Sequence, residues 1–174
     1  MHVALLQPSN ASRYRALMLE AYDLAADAFT STADERAAEP HAFWVKRIAD
    51  PTGLSAAFGA FEGQELIGTV ALEFTAKPRT KHKALVIGMY VTPAERGTGS
   101  GRALLMAAIE HARLIESLLL LTLTVTEGNA PAVNLYRSVG FQEYGVEPMG
   151  ILTPSGFRGK VLMWLQLRHR ATAA

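Results

Sequence analysis

The chain has 174 residues and a mass of 18.8 kDa, which fits one domain of ordinary size. Its hydrophobic fraction of 49% and charged fraction of 19% are those of a globular protein. Seventeen Lys and Arg against sixteen Asp and Glu leave a formal net charge of +1, without the basic excess of a nucleic-acid-binding surface. The absence of cysteine excludes disulfides, thiolate zinc sites, iron–sulfur clusters and a cysteine nucleophile. Residues 1–6 are apolar, but Gln7-Pro8-Ser9-Asn10 follows too soon for a secretory signal. The apolar run 118–125 contains Thr122 and Thr124 and falls far short of the ~20 residues that cross a bilayer. The expectation is a cytoplasmic, single-domain protein (1–174) with no nucleic-acid or membrane partner.

In chain order, residues 3–6 read as a short strand. Ser9, Asn10 and Ser12 offer caps for a helix with Leu17, Met18, Ala21, Leu24 and Ala25 at helical spacing. A second helix is predicted from Thr32, where Thr32 and Glu35 fit a capping box, and it carries Phe43, Trp44, Val45 and Ile48 with a break or kink at Pro40. Two β-rich runs, 55–62 and 65–75, flank a Gly63-Gln64 turn, and 84–91 is a third. From Gly99 the spacing of Leu104, Leu105, Ala108, Ile109 and Ala112 is helical again. Residues 118–125 are too short and too uniformly apolar for a surface helix and read as a buried strand. A helix over 129–139 tolerates Pro131 in its first turn, and strands over 141–151 and 158–167 close the chain. The order β-α-α-β-β-β-α-β-α-β-β defines an α/β layered domain with a mixed sheet.

The chemistry is concentrated between the third β run and the helix after it. In Val91-Thr92-Pro93-Ala94-Glu95-Arg96-Gly97-Thr98-Gly99-Ser100-Gly101-Arg102, alternate glycines join a strand to a helix. Glycine lets backbone approach a ligand and adopt positive φ, so successive N–H groups can line one concavity. The helix adds its unpaired N–H groups and positive dipole end, which suits a diphosphate, and Arg96 and Arg102 can add charge-assisted contacts. A P-loop is excluded because Gly101 is followed by Arg102 and Ala103, not by Lys-Ser/Thr. A dinucleotide fingerprint is disfavoured because the sixth position is Arg102 counted from Gly97 and Leu104 counted from Gly99. A glycine-rich turn that binds nothing is the alternative.

A second motif lies about thirty residues on, at Asn129-Ala130-Pro131-Ala132-Val133-Asn134-Leu135-Tyr136-Arg137-Ser138-Val139-Gly140-Phe141. Together with the Arg/Gln-x-x-Gly-x-Gly/Ala form of residues 96–101, it resembles the GNAT superfamily of acetyl-CoA-dependent N-acetyltransferases. The resemblance is specific over 84–142 and architectural elsewhere. It implies a mixed, mostly antiparallel sheet of about seven strands with a splayed central pair, flanked by about four helices. It implies acetyl-CoA as acetyl donor, with Arg96, Gly97, Thr98, Gly99, Ser100, Gly101 and Arg102 at the diphosphate. Met89, Tyr90 and Val91 would pair by backbone with the pantetheine arm, and Asn129 would contact the cofactor. Tyr136 matches the tyrosine that protonates the departing thiolate; its alternative role is packing. Tyr90 is a secondary candidate for that acid, because its face of the strand is not fixed by the sequence.

Where relatives often place a carboxylate base, this chain has Thr124, which leaves Glu73, Glu127 or a water chain to take the amine proton. His2, His41, His82, His111 and His169 show no metal-binding spacing, so no metal is expected. Acidic Asp23, Asp27, Asp34, Glu35 and Glu39 gather in the early helices, either to attract a cationic amine or as a solvated face. The expected activity is acetyl transfer to a primary amine by direct attack, since no cysteine is present to carry the acetyl group. A small amine or amino acid is the first acceptor class, and a peptide or protein N-terminus the second. A coenzyme-A-binding sensor without transfer is the alternative. Pairing of end strands makes a homodimer an option.

Overall fold

Continuous burial of the central strands over 56–61 and 66–72, with burial of one stripe along each long helix, sorts the chain into one sheet with a helical layer on each face. The computed structural model describes residues 1–168; His169 lies outside them. The elements are β1 (His2–Leu5), α1 (Ala11–Leu24), α2 (Ala33–Ala37), α3 (His41–Ile48), β2 (Ser55–Glu62), β3 (Glu65–Glu73), β4 (Lys83–Val91), α4 (Ser100–Leu114), β5 (Leu120–Thr126), α5 (Ala130–Ser138), β6 (Gln142–Thr153) and β7 (Gly156–Gln166). The strand order is β1-β2-β3-β4-β5-β7-β6, with β4–β5 the parallel pair. No helix among the described residues is long and apolar enough to cross a membrane.

The helix predicted from Thr32 is two helices, giving five rather than about four. Its capping box forms: the Glu35 backbone N–H donates to Thr32 Oγ1 (3.2 Å) and the Thr32 N–H to Glu35 Oε2 (2.9 Å). The segment nevertheless stops at Ala37, and Pro40 restarts it as the residue before α3. Proline has no N–H to continue the ladder and clashes with the preceding turn. Other boundaries shift by a few residues, as where Leu118 lies ahead of β5 and β3 ends at Glu73.

The two faces have separate cores. On one, Tyr14, Leu17, Met18, Ala21 and Tyr22 of α1 pack with Trp44 and Ile48 of α3 against Phe61, Leu66, Ala71 and Tyr90. On the other, Leu104, Leu105, Ala108 and Ile109 of α4 pack with Val70, Leu72, Val86, Leu121, Leu123 and Met163. Both layers bury the core faces of the sheet, whereas Leu85 and Thr124, at the place where strand pairing fails, are exposed.

Candidate active site

β4 pairs with β5 only where Lys83, Ala84 and Leu85 meet Leu120, Leu121 and Thr122. Beyond that the strands diverge, while β4 stays bonded to β3 and β5 to β7 as far as Thr126↔Lys160. The inner edge of β4 from Val86 to Val91 therefore presents backbone groups to a wedge-shaped gap. Such an edge readily accepts an extended partner by main-chain hydrogen bonds.

A glycine bulge sets how β4 meets this gap. Thr69 pairs with Tyr90 and Ala71 with Ile87, so Gly88 and Met89 together face Val70. Gly88 has φ +61°, a conformation natural to glycine. The extra residue reverses the inside–outside alternation: Ala84 and Val86 face the α4 layer, but so do Met89 and Val91. Tyr90 consequently points to the α1 layer, where its hydroxyl donates to Glu20 Oε1 at 2.9 Å. Burial, reinforced by Glu20, pushes that hydroxyl up to about 12. Its side chain thus lies on the face opposite α4 and α5, and only its backbone belongs to the gap.

The gap opens into a cavity of about 360 Å³. Its walls are the diverging strands (Val86–Met89 and Thr124–Thr126), Asn129 and Tyr136 of the α5 segment, and a roof from the α1–α3 region. Tyr136 is 7% exposed, and its ring meets Phe141 edge-on at 5.8 Å. Its hydroxyl has no hydrogen-bond partner among the described residues. Burial alone raises its pKa well above the ordinary tyrosine range, so it stays protonated. Asn129 Oδ1 accepts the Ala132 N–H at 3.2 Å and caps α5, an arrangement that occupies the oxygen and leaves the amide NH2.

The glycine loop adjoins this cavity. Gly97 and Gly99 have φ of +80° and +92°, and a Cβ built on either would meet nothing within 4 Å. Both positions are open to solvent and to a ligand. Gly101 differs, since a Cβ there would lie 3.1 Å from Leu135 Cδ2 and 3.2 Å from Met89 Cε, two residues that line the cavity. The third glycine therefore lets α4 press against the cavity wall. The N–H groups of the first turn of α4, after its N-cap Gly99, have no intrahelical acceptors. Thr98 Oγ1 donates to Glu95 O (2.8 Å) and lies 2.7 Å from the Ser100 hydroxyl, which braces the loop from within. Arg96 is exposed and its Nε donates to Val91 O at 3.1 Å. Arg102 reaches Ser138 O at 3.4 Å, so its side chain is turned to the C-terminal end of α5.

Of the carboxylates considered as base, Glu73 lines the cavity beside Thr124, whereas Glu127 lines a neighbouring depression with Asp23, Asp27 and Arg158. None of the early acidic residues lines this cavity. Glu35 caps α2, Glu39 Oε1 pairs with Arg36 at 3.4 Å, and Asp34 is solvent-exposed. The roof instead carries Arg36, Arg47 and Tyr22, none of which sequence reasoning singled out. Burial pushes the Tyr22 hydroxyl up while the Arg47 and Arg36 charges pull it down. A signal for Arg47 existed in its spacing, one turn after Trp44 and next to Ile48 on the buried side of α3. Gly88 was also readable, because an isolated glycine inside a strand marks a bulge.

This combination of a splayed strand pair, a glycine loop at a helix start and a buried tyrosine on the next helix leads to a family. The chain belongs to the acetyltransferase (GNAT) family, which it matches over residues 18–141. It is 48% identical over 59 residues to mycothiol acetyltransferase of Thermobispora bispora, covering 34% of this chain and 20% of that protein. It is 28% identical over 102 residues to the L-amino acid N-acetyltransferase AaaT of Escherichia coli, covering 59% and 62%. These matches span less than two thirds of the relatives' own lengths. The fold is similar to that of yncA from Salmonella typhimurium, solved with its cofactor acetyl-CoA, with a TM-score of 0.82, 20% identity and coverage of 100% and 98% of the two chains.

Proposed function

We propose that this chain transfers the acetyl group of acetyl-CoA to a primary amine, with a small amine or amino acid as the first acceptor class and a peptide or protein N-terminus as the second. The observation that carries this reading is the gap between β4 and β5, which opens onto a cavity lined by Tyr136 and adjoins the loop of open, positive-φ glycines. The open backbone at Gly97 and Gly99 fits a diphosphate, and the free edge of β4 fits an extended amide-bearing arm. Family membership and the named activity of the Escherichia coli relative support the choice of reaction.

When bound, acetyl-CoA supplies an activated thioester carbonyl. The backbone N–H groups of 97–102 hold the diphosphate. Met89, Tyr90 and Val91 align the pantetheine arm through their backbones, while Asn129 offers its amide NH2. A β4 N–H at the bulge, on the edge left unpaired by β5, would serve the oxygen on which negative charge develops. Tyr136 holds a proton for the departing sulfur. Because burial makes Tyr136 a weaker acid than a free thiol of pKa ~8.5, it acts chiefly by hydrogen-bond donation as charge grows on sulfur. Glu73, the carboxylate among the cavity-lining residues, takes the proton of the incoming ammonium directly or through water.

Thr124 at a position where relatives often carry a carboxylate favours a second reading, a coenzyme-A-binding sensor without transfer. The discriminating experiment measures thiol release from acetyl-CoA across a panel of primary amines. Amine-dependent release supports the enzyme. Tight acetyl-CoA binding without release for any amine leaves the sensor.

A further inference from the structure

The roof of the cavity has a charge imbalance that a simple amine does not explain. Arg47 is half-buried and lines the cavity; it forms no ion pair among the described residues, its guanidinium is set against the Tyr14 and Tyr22 hydroxyls and the more distant Glu73 charge, and its Nε is buried without a partner. Arg36 beside it has a buried, unpartnered Nε as well, although its terminal nitrogens reach Ser31 Oγ (2.8 Å) and Glu39 Oε1 (3.4 Å). Both guanidinium groups stack over the ring of Phe43, at 4.9 Å for Arg36 and 5.7 Å for Arg47. They converge on one cavity from two helices with a shared aromatic support. A desolvated guanidinium without an anion is costly to keep, and planar N–H forks of this kind match a carboxylate.

The remaining charges point the same way. Lys160 lines the cavity from β7 and Glu73 from β3, so the lining holds three cationic side chains and one carboxylate, with Glu39 outside the lining paired to Arg36. The other groups near the pair are the hydroxyls of Tyr22 and Tyr14, and the Tyr14 hydroxyl is itself buried and unpartnered. A polycation or a bare alkylamine would enter a field that repels it. An amine that also bears a carboxylate would neutralise the arginines and leave its nitrogen free to reach the strand gap.

Building on the transferase reading above, we propose that Arg36 and Arg47 form a carboxylate clamp and that the acceptor is an α-amino acid recognised through its carboxylate. The test is steady-state acetyl transfer by the full chain to leucine, methionine, phenylalanine, glutamate and arginine, each beside its amide and its decarboxylated amine. At least one free amino acid is expected to exceed its amide and its decarboxylated amine by ~10- to 100-fold in kcat/KM, the scale of hydrogen bonds to a charged group. Arg47→Gln should raise KM for that acid ~10-fold or more, with kcat, acetyl-CoA affinity and turnover of the amide little changed. Arg47→Lys should restore part of the loss. Arg47→Gln should change the melting temperature by no more than ~2–4 °C, because it removes a buried charge without an ion pair while losing its stacking on Phe43; a structural role would lower it further and impair acid and amide alike. Amides or simple amines turned over as well as the acids, or acetyl-CoA binding with no acid acetylated, overturns the clamp while other acetylated amines keep the transferase reading alive. Failure of acetyl-CoA itself to bind removes both.

Discussion

Replacing Tyr136 with Phe separates catalysis from packing at the centre of the proposed mechanism. The ring is buried and keeps its edge contact with Phe141 in the variant, and only a hydroxyl without a protein hydrogen bond is removed. Deleting such a polar atom should leave stability within ~1 kcal/mol. For a chain of this size that is ~2–4 °C in melting temperature. Acetyl-CoA affinity should hold within about twofold, because the diphosphate loop and the β4 edge are untouched. Turnover should fall ~10²-fold or more, which is the usual worth of a positioned acid and corresponds to ~2.7 kcal/mol of barrier. Stopped-time assays of thiol release at saturating acetyl-CoA, paired with thermal melts, measure both sides. An unaltered kcat removes Tyr136 from the mechanism, and a large drop in melting temperature would mean its hydroxyl is satisfied in solution.

Four further outcomes are expected. Gly99→Asp places a carboxylate in the open loop at φ +92° and should weaken acetyl-CoA binding ~100-fold or more by calorimetry with the fold retained, whereas an unchanged Kd would sink the loop assignment. Gly88→Ala has room for its Cβ, whose nearest neighbour is Tyr14 Oη at 3.5 Å, but it must hold φ +61°; a loss of ~1–2 kcal/mol in denaturant melts is expected, and a neutral result would argue against the bulge. Glu73→Gln should lower kcat/KM ~10-fold or more while Glu127→Gln stays within twofold, and the reverse order would move the base to the neighbouring depression. Tyr136 and Tyr90 have folded-state pKa values raised above the unfolded value of 10.0, Tyr90 to about 12, so the folded form keeps protons that the unfolded chain releases. That stabilisation is complete below pH ~10 and declines as pH climbs through about 12, and melting curves that rise over this window would contradict it.

The legible parts of the molecule were those fixed by short-range spacing. Residues 96–101 and 129–141 form the strand-to-helix loop and the α5 segment that local order predicts, and the Gly63-Gln64 turn joins β2 to β3 where the sequence put it. The face of Tyr90 was not legible, because strict alternation from Ala84 holds only until the bulge at Gly88 shifts its phase. The break at Pro40 was legible from the proline itself, and it separates α2 from α3. The arginine-bearing wall of the cavity was hidden for a different reason. Arg36 and Arg47 become neighbours only when α2 and α3 fold over the sheet around Phe43, while the conspicuous acidic residues of the same region cap helices, pair or face solvent. Of the two readings the sequence left for these acidic residues, exposed Asp34 and the capping Glu35 fit the solvated face.

Calorimetric titration of the chain with acetyl-CoA, with NAD as control, addresses the central claim most directly. Micromolar, one-to-one binding of acetyl-CoA, absent for NAD and abolished by Gly99→Asp, is the expected result. Heats no larger for acetyl-CoA than for NAD would contradict it and reduce the glycine loop to a turn between β4 and α4.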